Sequence, residues 1–458
     1  MRTIEITSVI VTALMLCAGC SIYRNYQPQS PEITDGLFGQ EYGELAEADT
    51  TTIAAVRWDD FFTDAPLREL IYTALKNNAD INIARERVIE AQASLKAAGW
   101  AFFPSLSLGP SANFYSSQMR YGGSAQSYSV PANASWEVDL SGKLRNRRRK
   151  AAAALEQSEA YVRSLQTEIV ATVAEYYFTL LKLDSQLEIS RTTSSNWAEN
   201  VRIMKAMKEA GMTNEASVSQ TEANACSIEA SLFDLEYQVK ECENALCTFI
   251  GILPQKIERS SLSGIDIPFD LKYGVPAQLL SYREDVKRAE LDLKQAFYDT
   301  AIAKAAFYPS INITGSSNWE KSVSSPAGWL ISLGAGLTQP LLARGTLKAD
   351  LTIARARQEE AALAFRQVLL KAGTEVCNAL AICESARGKT DVRLRQIAAL
   401  ESAVVSTREL MRLSESTYLE VLTAQQSLLS ARLQQVSDRY DLLKGTVSLY
   451  RALGGGSE

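Results

Sequence analysis

Trp100-Ala101-Phe102-Phe103-Pro104-Ser105-Leu106-Ser107-Leu108 returns in the second half of the chain as Ala306-Phe307-Tyr308-Pro309-Ser310-Ile311-Asn312-Ile313. Recurrence of such a run marks a duplicated structural unit. Pro104 and Pro309 stand 205 positions apart, as do Asp80 and Asp285 upstream. Farther on the offset becomes 203: Gly142-Lys143-Leu144 pairs with Gly345-Thr346-Leu347, Gly211 with Ser414, and Leu246…Gly251 with Leu449…Gly454. The change falls between the two strands of each copy, where a hairpin loop tolerates it.

Each copy reads as a helix, two strands and two long helices. The first repeat spans 57–254, with strands over 103–117 and 127–140 and long helices over 145–210 and 214–250. The second spans 283–454, with strands over 309–320 and 327–339 and long helices over 343–412 and 417–453. A linker, 255–282, joins them. From Ser105 to Tyr115, Leu106, Leu108, Ala112 and Phe114 alternate with polar residues, and from Tyr128 to Leu140 so do Val130, Ala132, Ala134, Trp136, Val138 and Leu140. Ile311, Ile313 and Trp319, then Trp329, Ile331, Leu333, Ala335 and Leu337, repeat the pattern. Such alternation suits tilted membrane strands of about 9–11 residues, and aromatics near the strand ends suit a lipid–water interface. A soluble sheet with one wet face would alternate in the same way.

The long helices carry narrow apolar seams. One runs Leu155, Val162, Leu165, Ile169, Val173, Tyr176, Leu180, Leu183 and Leu187; others run from Ile228 to Phe249 and from Leu422 to Tyr450. Spacing by four and three is that of helices packed side by side as in coiled coils. A helix from Arg145 to Ala210 extends on the order of 100 Å at about 1.5 Å per residue, longer than any globular core.

The N-terminus, 1–19, reads as a targeting segment: Arg2, a mostly apolar Val9 to Leu16, then Cys17-Ala18-Gly19-Cys20. Small residues directly before a cysteine resemble a bacterial lipobox, with cleavage before Cys20 and acylation of its sulfur, although Cys17 stands where leucine is usual. The bland reading is an ordinary cleaved signal with an incidental cysteine. The polar stretch 20–56 suits an acylated tether, and two or three acyl chains anchor stably where one is marginal.

Beyond that segment no apolar run reaches spanning length. The 458 residues include 47 basic and 53 acidic ones and no histidine. Mild acidity argues against binding nucleic acid, and the commonest metal ligand and general base is missing. Cys226, Cys242, Cys247, Cys377 and Cys383 form no metal or redox spacing, and Cys242 and Cys383 fall on apolar seams as small buried hydrophobes. No phosphate loop or nucleophile motif appears. Neither an enzyme, a metal site nor any cofactor beyond the lipid on Cys20 is expected.

Four strands cannot close a barrel, and hydrocarbon tolerates no open sheet edge, because each unpaired amide costs several kcal/mol there. The missing strands must come from other copies of the chain. Small closed barrels start at about 8 strands, so two chains are the minimum, while three give about 12 and a wide wet lumen. The polar strand faces, including Glu137 and Asp139, suit such a lumen. These considerations leave two against three chains open.

Trp58-Asp59-Asp60-Phe61-Phe62-Thr63-Asp64 with Leu67, Leu70 and Asn77…Asp80, the aromatic-Pro-Ser strand starts, and Tyr418-Leu419-Glu420-Val421-Leu422-Thr423-Ala424-Gln425 together resemble the TolC-like outer-membrane efflux factors. The similarity is greatest to their acylated OprM/NodT-type branch and covers Trp58 to Gly454. It implies a mainly α fold with membrane β: a TolC-like trimeric α/β-barrel, each chain giving four strands to an outer-membrane barrel and coiled-coil helices to a periplasmic tunnel, with the linker at the equator. It further implies a periplasmic adaptor and an inner-membrane RND-type pump as partners. Two departures stand out. Arg283-Glu284-Asp285 replaces the family's Arg-Pro-Asp, tolerable because proline merely favours the first helical position. Ser414 replaces the turn glycine present as Gly211, which removes the residue that most easily accepts positive φ.

The resemblance places the turns 210–217 and 413–420 at the periplasmic entrance, where the adaptor docks; Gly211, Met212, Thr213, Ser414, Glu415, Ser416 and Tyr418 are the candidate residues. Arg412, Glu415 and Tyr418 are candidates for holding the tip shut. Glu420 stands where the family projects an acid into the closed entrance, and symmetry would make it a ring of carboxylates. Thr423 and Ser217, its uncharged neighbour and first-copy counterpart, would make the entrance less negative. A solvated carboxylate on a coiled coil is the plain alternative for Glu420. Arg145, Arg147, Arg148, Arg149 and Lys150 follow the second strand on its periplasmic side and are expected to meet lipid phosphates, each contributing about 1 kcal/mol near an anionic surface. The expected function is passive conduction of drugs, toxic compounds or metal ions from pump and adaptor to the exterior. A type I secretion duct shares the architecture, and a periplasmic scaffold without a pore is the rival from another class.

Overall fold

A computed structural model describes residues 25–27, 56–116, 124–265, 283–322, 325–340, 345–413 and 418–455. Cys20, Ser414, Glu415 and Ser416 lie outside these residues, as does the side chain of Arg412. The chain runs α1 (Trp58–Phe61), α2 (Ala65–Asn77), α3 (Ala79–Trp100), β1 (Ser105–Leu108), β2 (Ser111–Ser116), β3 (Ser124–Val138), α4 (Lys143–Glu209) and α5 (Glu215–Ile250). A 3-10 turn at Leu262–Gly264 precedes α6 (Glu284–Ala305), β4 (Ser310–Ser322), β5 (Ser325–Thr338), α7 (Thr346–Arg412) and α8 (Tyr418–Ala452). No described helix is long and apolar enough to cross a membrane.

The chain divides into two compact units, of which the first comprises 1–30, 86–159 and 287–367 and holds the sheet. Its strands are antiparallel, in the order β1/β2, β3, β4, β5. The first predicted strand is split. Leu108 faces Ala132 and Ser111 faces Ser129, so β1 and β2 keep one register and are separated only by Gly109 and Pro110. Pro110 has no N–H, and neither does Pro131, whose carbonyl accepts from Gly109 N at 3.1 Å. Two prolines confined to one gap spare the rest of the ladder.

Partners across an antiparallel ladder point to the same face. Trp136, Ile313 and Ala335 share one row, Val138, Ile311 and Leu337 another, and Leu106, Ala134, Gly315 and Leu333 a third. The opposite face gathers Ser107, Asn133, Ser316 and Ser332, and then Glu137, Asn312 and Gly336. Alternation within each strand thus becomes segregation across the whole sheet. Leu330 is an exception, an apolar residue in a row with Asn318 and Pro131.

The second unit comprises 31–85, 160–286 and 368–458. Here the expectation of slender seams needs correction. Ile169, Val170, Ala171, Val173, Ala174, Tyr177, Phe178, Leu180 and Leu181 of α4 are all buried, well beyond one stripe. The reason is a local core built by the short N-terminal helices, with Trp58, Phe61, Phe62, Leu67 and Ile71 buried too. Phe61 stacks on Tyr450 at 4.2 Å between centroids, and the Tyr450 hydroxyl donates to Val56 O at 2.9 Å. Elsewhere along α4, at Leu155, Val162 and Leu165, the seam is half-buried, as two-sided helix packing predicts.

The duplication is visible in the dihedrals. Gly142 and Gly345 precede α4 and α7 at φ 72 and 77, while Gly251 and Gly454 follow α5 and α8 at φ 83 and 86. Positive φ stops a helix at small cost only for glycine. At Gly251 there is a second reason: an added Cβ would lie 2.9 Å from Asn77 O.

Candidate channel site

The sheet presents its two faces as a channel wall would. On the polar side Ser111 and Ser129 share a hydroxyl hydrogen bond of 2.8 Å, and Ser316 and Ser332 one of 2.7 Å. On the other, Leu106, Leu108, Ile331, Leu333 and Leu337 are largely exposed in the single chain. An exposed apolar band of this extent fits lipid, not water. Both outer strands, β1/β2 and β5, lack a second ladder partner among the described residues.

Asp139, read from its alternation as a lumen residue, has another task. Its carboxylate accepts the N–H groups of Leu144 and Arg145, both at 3.0 Å, and so caps α4. Glu137 accepts from Lys143 Nζ at 3.0 Å. Lys150 pairs with Asp299 of α6 at 2.8 Å, Arg149 is half-buried, and Arg145, Arg147 and Arg148 remain exposed. The expected basic group is therefore divided.

In the second unit the turn between α4 and α5 follows directly from its sequence. Gly211, at φ 72, donates its N–H to Lys208 O at 2.9 Å, and Met212 donates to Met207 O at 2.9 Å, a Schellman stop. Thr213 follows, half-buried, and Asn214 then caps α5 by accepting from Ser217 N at 2.9 Å. Lys208 pairs with Glu215 across this turn, and Lys205 with Glu222 at 2.7 Å. In the second copy the equivalent positions are Met411 and Tyr418, and Arg408 and Gln425. Charge pairs staple this first tip, and neither pair has both of its charges at the equivalent positions of the second copy. Tyr418 is half-buried at the start of α8; burial pushes its phenol up, with Thr221 and Arg408 beside it opposing the shift. Asn200 of α4 donates to Gln425 of α8 at 3.0 Å, and Gln426 to Asn224 of α5 at 3.3 Å, joining the two hairpins.

Glu420 is exposed on the first turn of α8, with Thr423 exposed one turn on and its hydroxyl donating to Leu419 O at 2.9 Å. Ser217 differs: it is half-buried, and its hydroxyl donates to Asn214 Oδ1 at 3.1 Å, so it serves the helix cap. Cys242, Cys247 and Cys383 are buried, and burial pushes the Cys242 thiol up to about 11, well away from thiolate chemistry.

Sequence reasoning missed two buried guanidinium centres. Arg259 of the linker binds Asp184 of α4 and Glu243 of α5, while Arg283 binds Asp285, Glu375 of α7 and the carbonyl of Ala452. Arg259 gave no signal beyond an isolated arginine after a helix end, whereas Arg283 stood in the Arg-Glu-Asp run with no hint of its distant partner Glu375. Glu284, standing in for proline, starts α6 and takes a two-pronged bond from Arg163 at 2.8 and 3.1 Å. An acid is favourable at a helix N-terminus, which explains why the proline is dispensable.

The sequence pattern of the outer membrane efflux protein family matches residues 70–252 and again 275–455, once per repeat. The cation efflux system protein CusC of Escherichia coli O6:H1 is 28% identical over 452 residues, covering 96% of each chain. The probable efflux pump outer membrane protein TtgC of Pseudomonas putida is also 28% identical, over 99% of this chain and 96% of its own. Among solved structures, the outer-membrane channel OprN superimposes with a TM-score of 0.84 at 23% identity, covering 96% of this chain and 100% of that one. The fold is thus that of the TolC-like outer-membrane channels, and the chain belongs to the outer membrane efflux protein family.

Proposed function

We propose that this outer-membrane channel subunit works as a homotrimer, passively conducting drugs, toxic compounds or metal ions out of the cell as the last part of a tripartite assembly. The partners are a periplasmic adaptor and an inner-membrane RND-type pump, with acylated Cys20 as a second anchor. One observation carries the reading: a sheet apolar on one face and polar on the other, whose outer strands each pair on one side only among the described residues, has no low-energy state in lipid until other copies close it. Three copies give a barrel of about 12 strands, wide enough for water. The names of the relatives, one a cation efflux protein and one a probable efflux pump component, support export over secretion.

The proposed entrance lies at the turns between paired helices, with Glu420 and Thr423 facing the lumen and Gly211, Met212, Thr213 and Ser414 to Ser416 presented to the adaptor. Light scattering of the detergent-solubilised protein should give the mass of three chains, and planar bilayers should show discrete conductance steps. A monomer that leaves bilayers silent would sink this reading.

A further inference from the structure

Six of the eight residues from Lys143 to Lys150 are cationic, and the first turn of α4 holds no acid. Cations at the positive end of a helix dipole are unfavourable. The second repeat shows that the fold does not require them. There α7 starts after the equivalent left-handed glycine, yet its matching stretch, Thr346 to Ile353, carries Lys348 as its one cation, with Asp350 and Leu351 in place of Arg147 and Arg148. Equal backbone and different charge point to a task that only the first copy performs.

The structure sorts the six by what holds them. Lys143 and Lys150 are taken by Glu137 and Asp299. Asp139 occupies the first free N–H groups of α4, so the helix end itself is closed to an anion. Arg149 is half-buried, while Arg145, Arg147 and Arg148 are exposed, and the guanidinium groups of Arg147 and Arg148 bond to no described residue.

These arginines follow the end of the sheet where aromatic rings collect. Trp100 and Phe103, just before β1, are 70% and 61% exposed, with ring centroids 5.4 Å apart. Trp136, near the end of β3, donates Nε1 to Phe102 O at 2.9 Å. Indoles at a lipid–water boundary with arginines just beyond on the aqueous side are arranged as interfacial anchors. A guanidinium fork matches a phosphodiester, with its two free oxygens, better than an ammonium does.

We infer that Arg145, Arg147 and Arg148, together with Trp100 and Phe103 at the same end of the sheet, form a binding cluster for the phosphate of anionic glycerophospholipids in the periplasm-facing leaflet. The inference rests on the sheet crossing the outer membrane and is independent of pump and adaptor. Trp100 and Phe103 would seat the acyl-chain end of the headgroup region while the arginines hold the phosphate, fixing the depth of the first repeat in the bilayer.

The test titrates delipidated protein in detergent with phosphatidylglycerol or phosphatidylcholine and counts bound lipid by native mass spectrometry. Wild type should prefer phosphatidylglycerol. The double variant Arg147→Gln, Arg148→Gln should weaken that binding by about 30-fold, from about 1 kcal/mol per arginine near an anionic surface. Lys348→Gln should leave it unchanged, and the charge-retaining pair Arg147→Lys, Arg148→Lys should keep most of it. Wild-type protein with no preference for the anionic lipid overturns the proposal whether or not the variants fold, and so does displacement of the lipid by millimolar inorganic phosphate, which would make this a free-phosphate site. A conducting trimer without lipid preference would remove this cluster and leave the channel intact.

Discussion

Arg283 introduces α6 and is 8% exposed at its side chain, held by Asp285 at 2.9 and 2.7 Å, by Glu375 at 2.7 Å and by Ala452 O at 2.9 Å. Burial alone would raise the Asp285 carboxyl, but the bond from Arg283 outweighs it and holds the group below its ordinary 3.8. A carboxyl whose folded value lies below its unfolded one stabilises the fold above the unfolded value, and that contribution fades as pH falls through the folded value. The thermal midpoint of the detergent-solubilised protein should therefore drop on acidification below 3.8. In Arg283→Met that part of the decline should vanish, since the depressed carboxyl is gone. At neutral pH the substitution should cost less than the roughly 3–5 kcal/mol of a fully buried pair, because solvent reaches both acids. Identical pH profiles for the two proteins would show that the pair is energetically silent. The Arg-Glu-Asp motif could be read in the chain, but Glu375 could not, since 92 positions separate it from Arg283 and only the packing of α7 brings it in.

Element by element, the clearest reading was the strands, whose period of two survives into the sheet because register keeps every second side chain on one face. Their ends are set by pairing and so moved by up to three residues, from 127 to Ser124 for β3. The break at Gly109 and Pro110 depended on Pro131 facing it, a cross-strand fact. At the helix turns the two copies part ways. Ion pairs Lys205–Glu222 and Lys208–Glu215 close the tip between α4 and α5, whereas Met411, Tyr418 and Gln425 stand in three of the four equivalent positions. Salt weakens exposed ion pairs and spares apolar contact. Amide exchange around 205–222 should accelerate on raising the salt, and Lys205→Ala with Lys208→Ala should remove that sensitivity. Residues 405–425 should respond less to salt. Equal responses of both tips would mean that the staples contribute nothing.

In the proposed trimer, one Glu420 per chain would become a ring of acids at the proposed entrance, with Thr423 adding none. Glu420→Gln should lower the preference for cations over anions, moving the reversal potential in a potassium chloride gradient toward zero while conductance steps persist. An unchanged potential would return Glu420 to the status of a solvated surface carboxylate. Duplication, strand alternation and helix length were all determined by the sequence alone, because each is a periodicity that needs no partner from elsewhere in the chain. Tertiary structure alone decided which charges are spent internally and which are offered outward. Asp139 became a cap, Ser217 part of another cap, Lys150 a partner for Asp299, and Arg259 a bridge between α4 and α5. The physical reason is the same in each case: a charged or polar group takes whatever partner the packing places within about 3 Å, and that distance is a property of the folded chain.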